Sequence, residues 1–170
     1  MDFKIQWFPG HMTKAKRMME QQLKLVDVVV EMLDARVPRS STNPMLNQLL
    51  GQKPKIIALN KVDMAAPAKT EAWKEIFKNN GLPVCVIDCN TGKGVKQLVA
   101  AVQKAAQPVI DKWLKRGVKN RSIRVMIVGI PNVGKSTLIN RLVGKNKVLA
   151  INRALHAGSS GLPLPKGWNF

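Results

Sequence analysis

Four short runs of apolar residues recur along the chain, and each is rich in β-branched side chains. They are Val26–Leu33 (VDVVVEML), Lys55–Asn60 (KIIALN), Pro83–Asp88 (PVCVID) and Ile123–Val128 (IRVMIV). Continuous apolar runs of this length are typical of parallel strands that are covered on both faces of a sheet. The pattern therefore predicts four buried parallel strands.

Stretches with helical spacing lie between these runs. In Lys69–Gly81 the apolar side chains share one helical face, and Val95–Gln107 repeats the same periodicity. Strands that alternate with helices indicate βαβ units. We therefore predict an α/β fold, with a parallel sheet that carries helices on both faces, over residues 26–148.

The first 25 residues have a different character. After a WFPG turn they are predicted to form a basic amphipathic helix, which extends the main domain at its N-terminal side. Its apolar positions at helical spacing are expected to pack against the domain; they are Met12, Ala15, Met19 and Leu23.

The charge of the chain is strongly positive. Twenty-eight Lys and Arg residues against ten Asp and Glu residues give a formal net charge of +18. Such an excess favours a polyanionic partner such as RNA, although a basic surface that serves only solubility is the alternative. The basic segment Asp111–Arg124 is either a solvated linker or part of an RNA-facing surface.

Cysteine use and hydropathy limit the cellular location. Cys85 and Cys89 lack the paired spacing of a zinc site, so free thiols in a reducing cytosol are expected. No apolar run approaches the ~18 residues of a membrane span, and the first residues contain no secretory hydrophobic region. We expect a cytoplasmic monomer that binds neither membrane nor DNA.

A phosphate-binding motif follows the last apolar run. Gly129–Ser136 (GIPNVGKS) matches G-x-x-x-x-G-K-[ST], and it lies between a predicted strand and the predicted helix Ser136–Val143. Backbone amides of such a loop face phosphate oxygens, and the helix N-terminus adds its positive dipole end. Lys135 is predicted to reach the β and γ phosphates, and Ser136 to bind Mg²⁺. The predicted nucleotide contacts here are Asn132, Val133, Gly134, Lys135, Ser136 and Thr137.

A second polar motif ends the strand at Lys55–Asn60. Asn60–Asp63 (NKVD) lies where a parallel strand delivers ligand-facing residues. The Asp63 carboxylate can accept hydrogen bonds from the N1 and 2-amino groups of guanine. Adenine lacks this pair of donors, so the contact would select GTP over ATP. A surface turn can carry the same four residues, so the weight of the motif comes from the phosphate loop downstream.

These motifs resemble a known family. N-K-x-D upstream of GIPNVGKSTLINRL, with Asp34–Pro38 (DARVP), Trp7–Met12 (WFPGHM) and Asn43–Met45, is similar to the ribosome biogenesis GTPase A family of circularly permuted GTPases. In those proteins the guanine-reading half of a Ras-like domain precedes the phosphate half. The resemblance covers roughly residues 4–148.

The resemblance implies roles for particular residues. Asn60, Lys61, Val62 and Asp63 would hold guanine, and the loop of Asp88, Cys89 and Asn90 would support the base through backbone amides. The family usually has serine at the position of Cys89. Asn132 matches an asparagine that helps to coordinate K⁺ in related GTPases, and His11 matches a histidine that assists hydrolysis. The implied cofactors are GTP or GDP, Mg²⁺ and K⁺, and the implied partners are the large ribosomal subunit and its rRNA.

The pattern changes after Val148. Residues 149–170 contain neither a switch-I threonine nor a D-x-x-G turn, and an irregular tail is expected. With allowed codons, the adjacent reading frame of Val148–Leu162 spells T-G-D-K-P-G-I-T-R-R-Q-Q-W, which resembles the family's switch I. We therefore hypothesise a frameshifted or truncated, hydrolysis-deficient form. The two strands that flank the phosphate strand would be missing, so Ile123–Val128 is predicted to be a bare sheet edge.

The leading interpretation is a guanine-nucleotide-dependent assembly factor for the large ribosomal subunit. One alternative is an RNA-binding module without a nucleotide switch, which explains the charge but not the two motifs. Another is a different P-loop NTPase, against which Asp63 argues.

Overall fold

One parallel sheet forms the centre of the molecule. The computed structural model describes residues 9–42, 44–119, 121–130, 133–142 and 148–154, and for residues 9–13, 15 and 148–154 it describes the backbone alone. Within these ranges five strands lie in the order β3-β2-β1-β4-β5, and every neighbouring pair is parallel. They are β1 (Val28–Asp34), β2 (Lys55–Asn60), β3 (Val84–Val86), β4 (Ile123–Gly129) and β5 (Val148–Ala154). The four predicted strands are confirmed.

The fifth strand corrects two expectations. β5 pairs with β4 along its whole length, from Ile123 opposite Val148 to Gly129 opposite Ala154. The prediction of a bare edge at Ile123–Val128 is therefore wrong, and so is that of an irregular tail for residues 149–154. The unpaired N–H and C=O groups of an edge strand accept almost any extended segment, since pairing uses the backbone. Residues 155–170 lie outside the described ranges.

Helices cover the sheet. They are α1 (Pro9–Leu25), α2 (Pro38–Ser41), α3 (Pro44–Leu49), α4 (Pro67–Asn79), α5 (Val95–Lys115) and α6 (Lys135–Leu142). The predicted helices α1, α4, α5 and α6 are confirmed, whereas α2 and α3 are too short for a periodicity to be read. α5 continues through Pro108, so the start of the basic segment from Asp111 is helical rather than a linker.

Alternate residues of β1 face opposite sides of the sheet. Val28 and Val30 pack with buried side chains of α5 and α6. Val29 belongs to a cluster with residues of α1 and α3, while Leu33 packs with Phe77 of α4. The predicted α/β fold with helices on both faces is thereby confirmed, and the basic helices α1 and α5 lie on opposite faces.

The carboxyl end of α1 is fixed to the sheet by Lys53. Its Nζ donates to the backbone oxygens of Leu23 and Val26, at 2.5 and 2.6 Å. A cation that caps the last carbonyls of a helix also complements the helix dipole.

Among the described residues, no helix combines the length and the apolar character that a membrane crossing needs.

Candidate nucleotide-binding site

Loops after β2, β3 and β4 meet at the carboxyl edge of the sheet and enclose a cleft of ≈ 380 Å³. Parallel strands bring their carboxyl ends to one edge, which is where α/β proteins bind ligands. The residues that line the cleft are Asn60, Lys61, Asp63, Met64, Asp88, Cys89, Asn90, Gly134, Lys135, Ser136 and Thr137. The structure thus brings the predicted guanine and phosphate segments together.

The phosphate loop has a backbone that only glycine adopts at one position. Gly134 has a φ of +106°, and a Cβ there would come within 2.4 Å of the Asn60 side-chain nitrogen. Any larger residue would therefore displace Asn60 and strain the backbone. Val133, which precedes Gly134, is buried in the core and anchors the loop.

Lys135 is folded back over this loop. Its Nζ donates to the backbone oxygens of Gly129 and Ile130, each at 2.8 Å. Burial lowers the pKa of the Lys135 ammonium because desolvation disfavours the charged form. A buried ammonium that carbonyl oxygens hold is well suited to accept an anionic partner such as a phosphate.

The first turn of α6 opens onto the cleft. Ser136 and Thr137 are exposed there, and both line the cleft. The first amides of a helix have no partner within the helix, so they and the helix dipole favour an anion at this place.

Asn60 connects all three loops. Its Nδ2 donates to the Val133 backbone oxygen at 2.7 Å, and its Oδ1 accepts a hydrogen bond from the Cys89 N–H at 3.1 Å. The Asn60 side chain is buried between these partners. Asn60 therefore positions the loops. The sequence analysis predicted a guanine contact for this residue and did not predict this positioning role.

Asp63 reaches the cleft through an unusual turn. Lys61 has a φ of 62°, in the left-handed region, and a 3₁₀ turn over Val62–Met64 follows it. Val62 packs against the core cluster that includes Leu33 and Phe77, which holds this turn in place. The Asp63 side chain is exposed and lines the cleft, as its predicted role requires.

Asp88 organises the loop after β3. Its Oδ1 accepts hydrogen bonds from the N–H groups of Asn90 and Thr91, at 2.9 and 3.3 Å, and its Oδ2 accepts the Thr91 hydroxyl at 2.8 Å. These bonds, led by that from the Thr91 hydroxyl, lower the pKa of the Asp88 carboxyl. The N–H groups of Cys89 and Asn90 donate to Asn60 Oδ1 and Asp88 Oδ1, which fixes the shape of this loop beside the cleft; its support of a base stays a prediction.

Cys89 is buried and lines the cleft. Burial raises the pKa of its thiol to about 11, and the Asp88 charge acts in the same direction. The side chain is therefore a neutral, largely buried group at neutral pH. Both Cys85 and Cys89 are free thiols.

The DARVP turn contacts the loop after β2. The Asp34 carboxylate binds the Arg36 guanidinium, with 2.6 Å to Nη2 and 2.9 Å to Nε. These side-chain hydrogen bonds hold the pKa of the Asp34 carboxyl below its ordinary value. Nη1 of Arg36 also contacts the sulfur of Met64 at 4.0 Å, and Met64 lines the cleft.

Two predicted residues cannot be placed in the site. Asn132 lies outside the described residues, and for His11, which is part of α1, only the backbone is described. Their roles in K⁺ binding and hydrolysis stay predictions.

The sequence did not indicate the role of Arg141, which lies in α6 and donates hydrogen bonds to the loop after β3. Arg141 lies beyond the phosphate motif, and no sequence pattern at this position predicts the contact.

The chain has known relatives. A family model described as "50S ribosome-binding GTPase" matches residues 124–155 and so continues past Val148, where we expected the family pattern to end. Ribosome biogenesis GTPase A of Priestia megaterium is 52% identical over 142 residues, which are 83% of this chain and 49% of that protein. The chain belongs to the ribosome biogenesis GTPase A family of circularly permuted GTPases.

The chain covers a different share of the length of each relative. The chain spans about half the length of the curated relatives it matches. Mitochondrial ribosome-associated GTPase 1 of Mus musculus is 38% identical, over 80% of this chain and 41% of its own length. The crystal structure of GNP-bound YlqF from T. maritima is 33% identical with a TM-score of 0.58, over 82% of this chain and 59% of that chain. The GDP-bound structure of TM YlqF is 37% identical with a TM-score of 0.56, over 76% of this chain and 49% of that chain.

Proposed function

We propose that the chain binds GTP and GDP in the cleft at the carboxyl edge of the sheet. One observation carries this proposal: a single cleft holds the exposed carboxylate of Asp63 and the buried ammonium of Lys135. The carboxylate matches the N1 and 2-amino donors of guanine, and the ammonium with the α6 N-terminus matches the phosphates. Lys61 and the loop of Asp88 complete the walls around the base.

Mg²⁺ is the proposed metal cofactor. The exposed hydroxyl of Ser136 lines the cleft and would provide one oxygen ligand. The described residues contain no cluster of three or more acidic, histidine or cysteine side chains that could hold a metal. Mg²⁺ commonly relies on substrate phosphates for its remaining ligands, so a single hydroxyl fits this ion. K⁺, held in part by Asn132, is a second proposed ion, and either cation would offset phosphate charge.

We propose that the biological role is assembly of the large ribosomal subunit, with nucleotide state as the switch. The support lies in the relatives, one named Ribosome biogenesis GTPase A and another Mitochondrial ribosome-associated GTPase 1. The formal net charge of +18 fits direct contact with rRNA. We further propose a cytoplasmic monomer that binds neither DNA nor membranes.

A plain RNA-binding module is the second candidate, and the net charge favours it. Titration of the chain with fluorescent GDP and ADP distinguishes the candidates. The proposed function requires a preference for GDP, whereas binding of neither nucleotide leaves the RNA-binding module. A preference for ADP would point to a different P-loop NTPase and overturn the assignment of Asp63.

A further inference from the structure

Arg141 joins the helix of the phosphate side to the loop of the base side. It lies in the last turn of α6, and its Nε and Nη2 donate to the backbone oxygens of Cys89 and Asn90. A guanidinium presents several N–H donors in one rigid plane, so a single side chain can bind two successive carbonyls. The residues of this contact are 52 and 51 positions apart in the chain.

The peptide at Cys89 is held from both sides. Its N–H donates to Oδ1 of Asn60 at 3.1 Å, while its carbonyl accepts from Arg141. Asn60 in turn donates to the Val133 oxygen at 2.7 Å, and Val133 leads through Gly134 into α6. The loop after β3 is thus tied to the phosphate segment twice, once before α6 and once at the end of it.

The surroundings of Arg141 leave it little freedom. A Cβ at Gly92 would come within 2.8 Å of Nη1, so the absence of a side chain there makes room for the guanidinium. The residue itself is partly buried. A group that is confined in this way loses little further entropy when a ligand binds.

We propose that Arg141 is a positioning residue that holds the loop Asp88–Asn90 at a set distance from the phosphate loop. Guanine nucleotide spans both loops, so its affinity depends on their spacing, whereas a ligand that touches only the phosphate loop does not depend on it. This inference rests on the proposed function of the cleft. It predicts that loss of Arg141 weakens binding of the whole nucleotide and spares binding of the phosphate part.

The experiment compares two ligands on the full chain. Fluorescent GDP is titrated directly, and inorganic pyrophosphate is titrated as its competitor, with Arg141→Ala, Arg141→Lys and, as control, Arg39→Ala at an exposed position of α2. We expect Arg141→Ala to weaken GDP about tenfold, the scale of one or two lost hydrogen bonds to a charged donor. Pyrophosphate affinity should stay within about twofold of wild type. Arg141→Lys keeps the charge but cannot donate to two carbonyls from one planar group. Its GDP affinity should therefore lie between those of the wild type and Arg141→Ala.

The outcomes separate the two proposals. An equal loss for GDP and pyrophosphate would show that Arg141 merely stabilises α6 and would overturn its positioning role. Unchanged GDP affinity in both Arg141 variants overturns it as well. If Arg141→Ala does not fold, Arg141→Lys decides, because it retains the aliphatic stem and the charge. A wild-type chain that shows no preference for GDP over ADP overturns the proposed function itself.

Discussion

The side chain of Asn60 donates a 2.7 Å hydrogen bond to the backbone oxygen of Val133, which lies 73 residues further along the chain. Its oxygen accepts the Cys89 N–H, so one buried amide links the carboxyl ends of three strands. The motif Asn60–Asp63 comes before the phosphate loop in this chain, yet the two motifs are adjacent in space. Permuting the chain order leaves this contact possible because it depends only on where the strands lie in the sheet.

Asn60→Ala should destabilise the fold and open the cleft. Removing the amide leaves the Cys89 N–H and the Val133 C=O without this partner, at a cost of about 1–3 kcal/mol for each buried group. Urea denaturation should show a loss of about 3 kcal/mol, with GDP affinity reduced in parallel. Asn79→Ala, on the exposed side of α4, is the matched control. A midpoint for Asn60→Ala equal to that of the control would contradict the role of this contact.

Asp63→Asn should change the base preference. In the proposed role the carboxylate would accept from the 2-amino group of guanine, whereas an amide can donate to the 2-oxo group of xanthine. We expect GDP affinity to fall by at least about tenfold and xanthosine diphosphate to bind better than to the wild type. Asp111→Asn makes the same charge change on α5 and should leave both affinities unaltered. Titration with both nucleotides tests this, and an unchanged preference for GDP would remove Asp63 from the base-reading role.

Cys89 should be slow to react with alkylating agents. Because burial raises the pKa of its thiol from 9.0 to about 11, the thiolate fraction at neutral pH is about a hundredfold lower than in an unfolded chain. Iodoacetamide labelling of a Cys85→Ser variant, followed by mass spectrometry with and without urea, measures this ratio. Equal rates in the folded and unfolded chains would show that the thiol is accessible.

The same shift makes stability depend on alkaline pH. The raised pKa means that the folded chain keeps a proton that the unfolded chain releases. This contribution to stability is fully present below about pH 9 and is lost as the pH rises towards about 11. A Cys89→Ser variant should lose this part of the alkaline dependence in urea denaturation. An identical pH profile for wild type and variant would assign the dependence to other groups.

Binding to ribosomal RNA should weaken steeply with salt, because Lys and Arg contacts to phosphates release counterions. The two basic helices lie on opposite faces of the sheet, so their contributions can be separated. Neutralising one contacting cation should lower the salt slope by about 1. The residues to replace by glutamine are Lys14, Lys16 and Arg17 in one variant and Lys112, Lys115 and Arg116 in the other.

Lys74→Gln is the control for the RNA experiment, because Lys74 lies on α4 and is paired with Glu71 at 3.1 Å. Filter binding across a salt series gives the slopes. If both triple variants keep the wild-type slope, neither helix faces the RNA.

The apolar runs and the two nucleotide motifs were sufficient to predict much of this protein. Parallel strands buried on both faces have a composition that few other elements share, so β1, β2, β3 and β4 followed from the sequence alone. The motifs Asn60–Asp63 and Gly129–Ser136 follow directly after strands, and the carboxyl ends of parallel strands lie at one edge. Their meeting in one cleft could therefore be predicted as well.

Other features depended on contacts between distant segments. Residues 149–154 have no strand periodicity, yet β4 offers unpaired backbone groups that they can satisfy as β5. The N–H groups of Cys89 and Asn90 donate to the Asn60 oxygen and the Asp88 carboxylate, contacts that the sequence did not indicate. Arg141 and Cys89 are brought together only when α6 packs on the sheet. Such contacts have no local signature in the sequence, because each partner is chosen by its proximity in the folded chain.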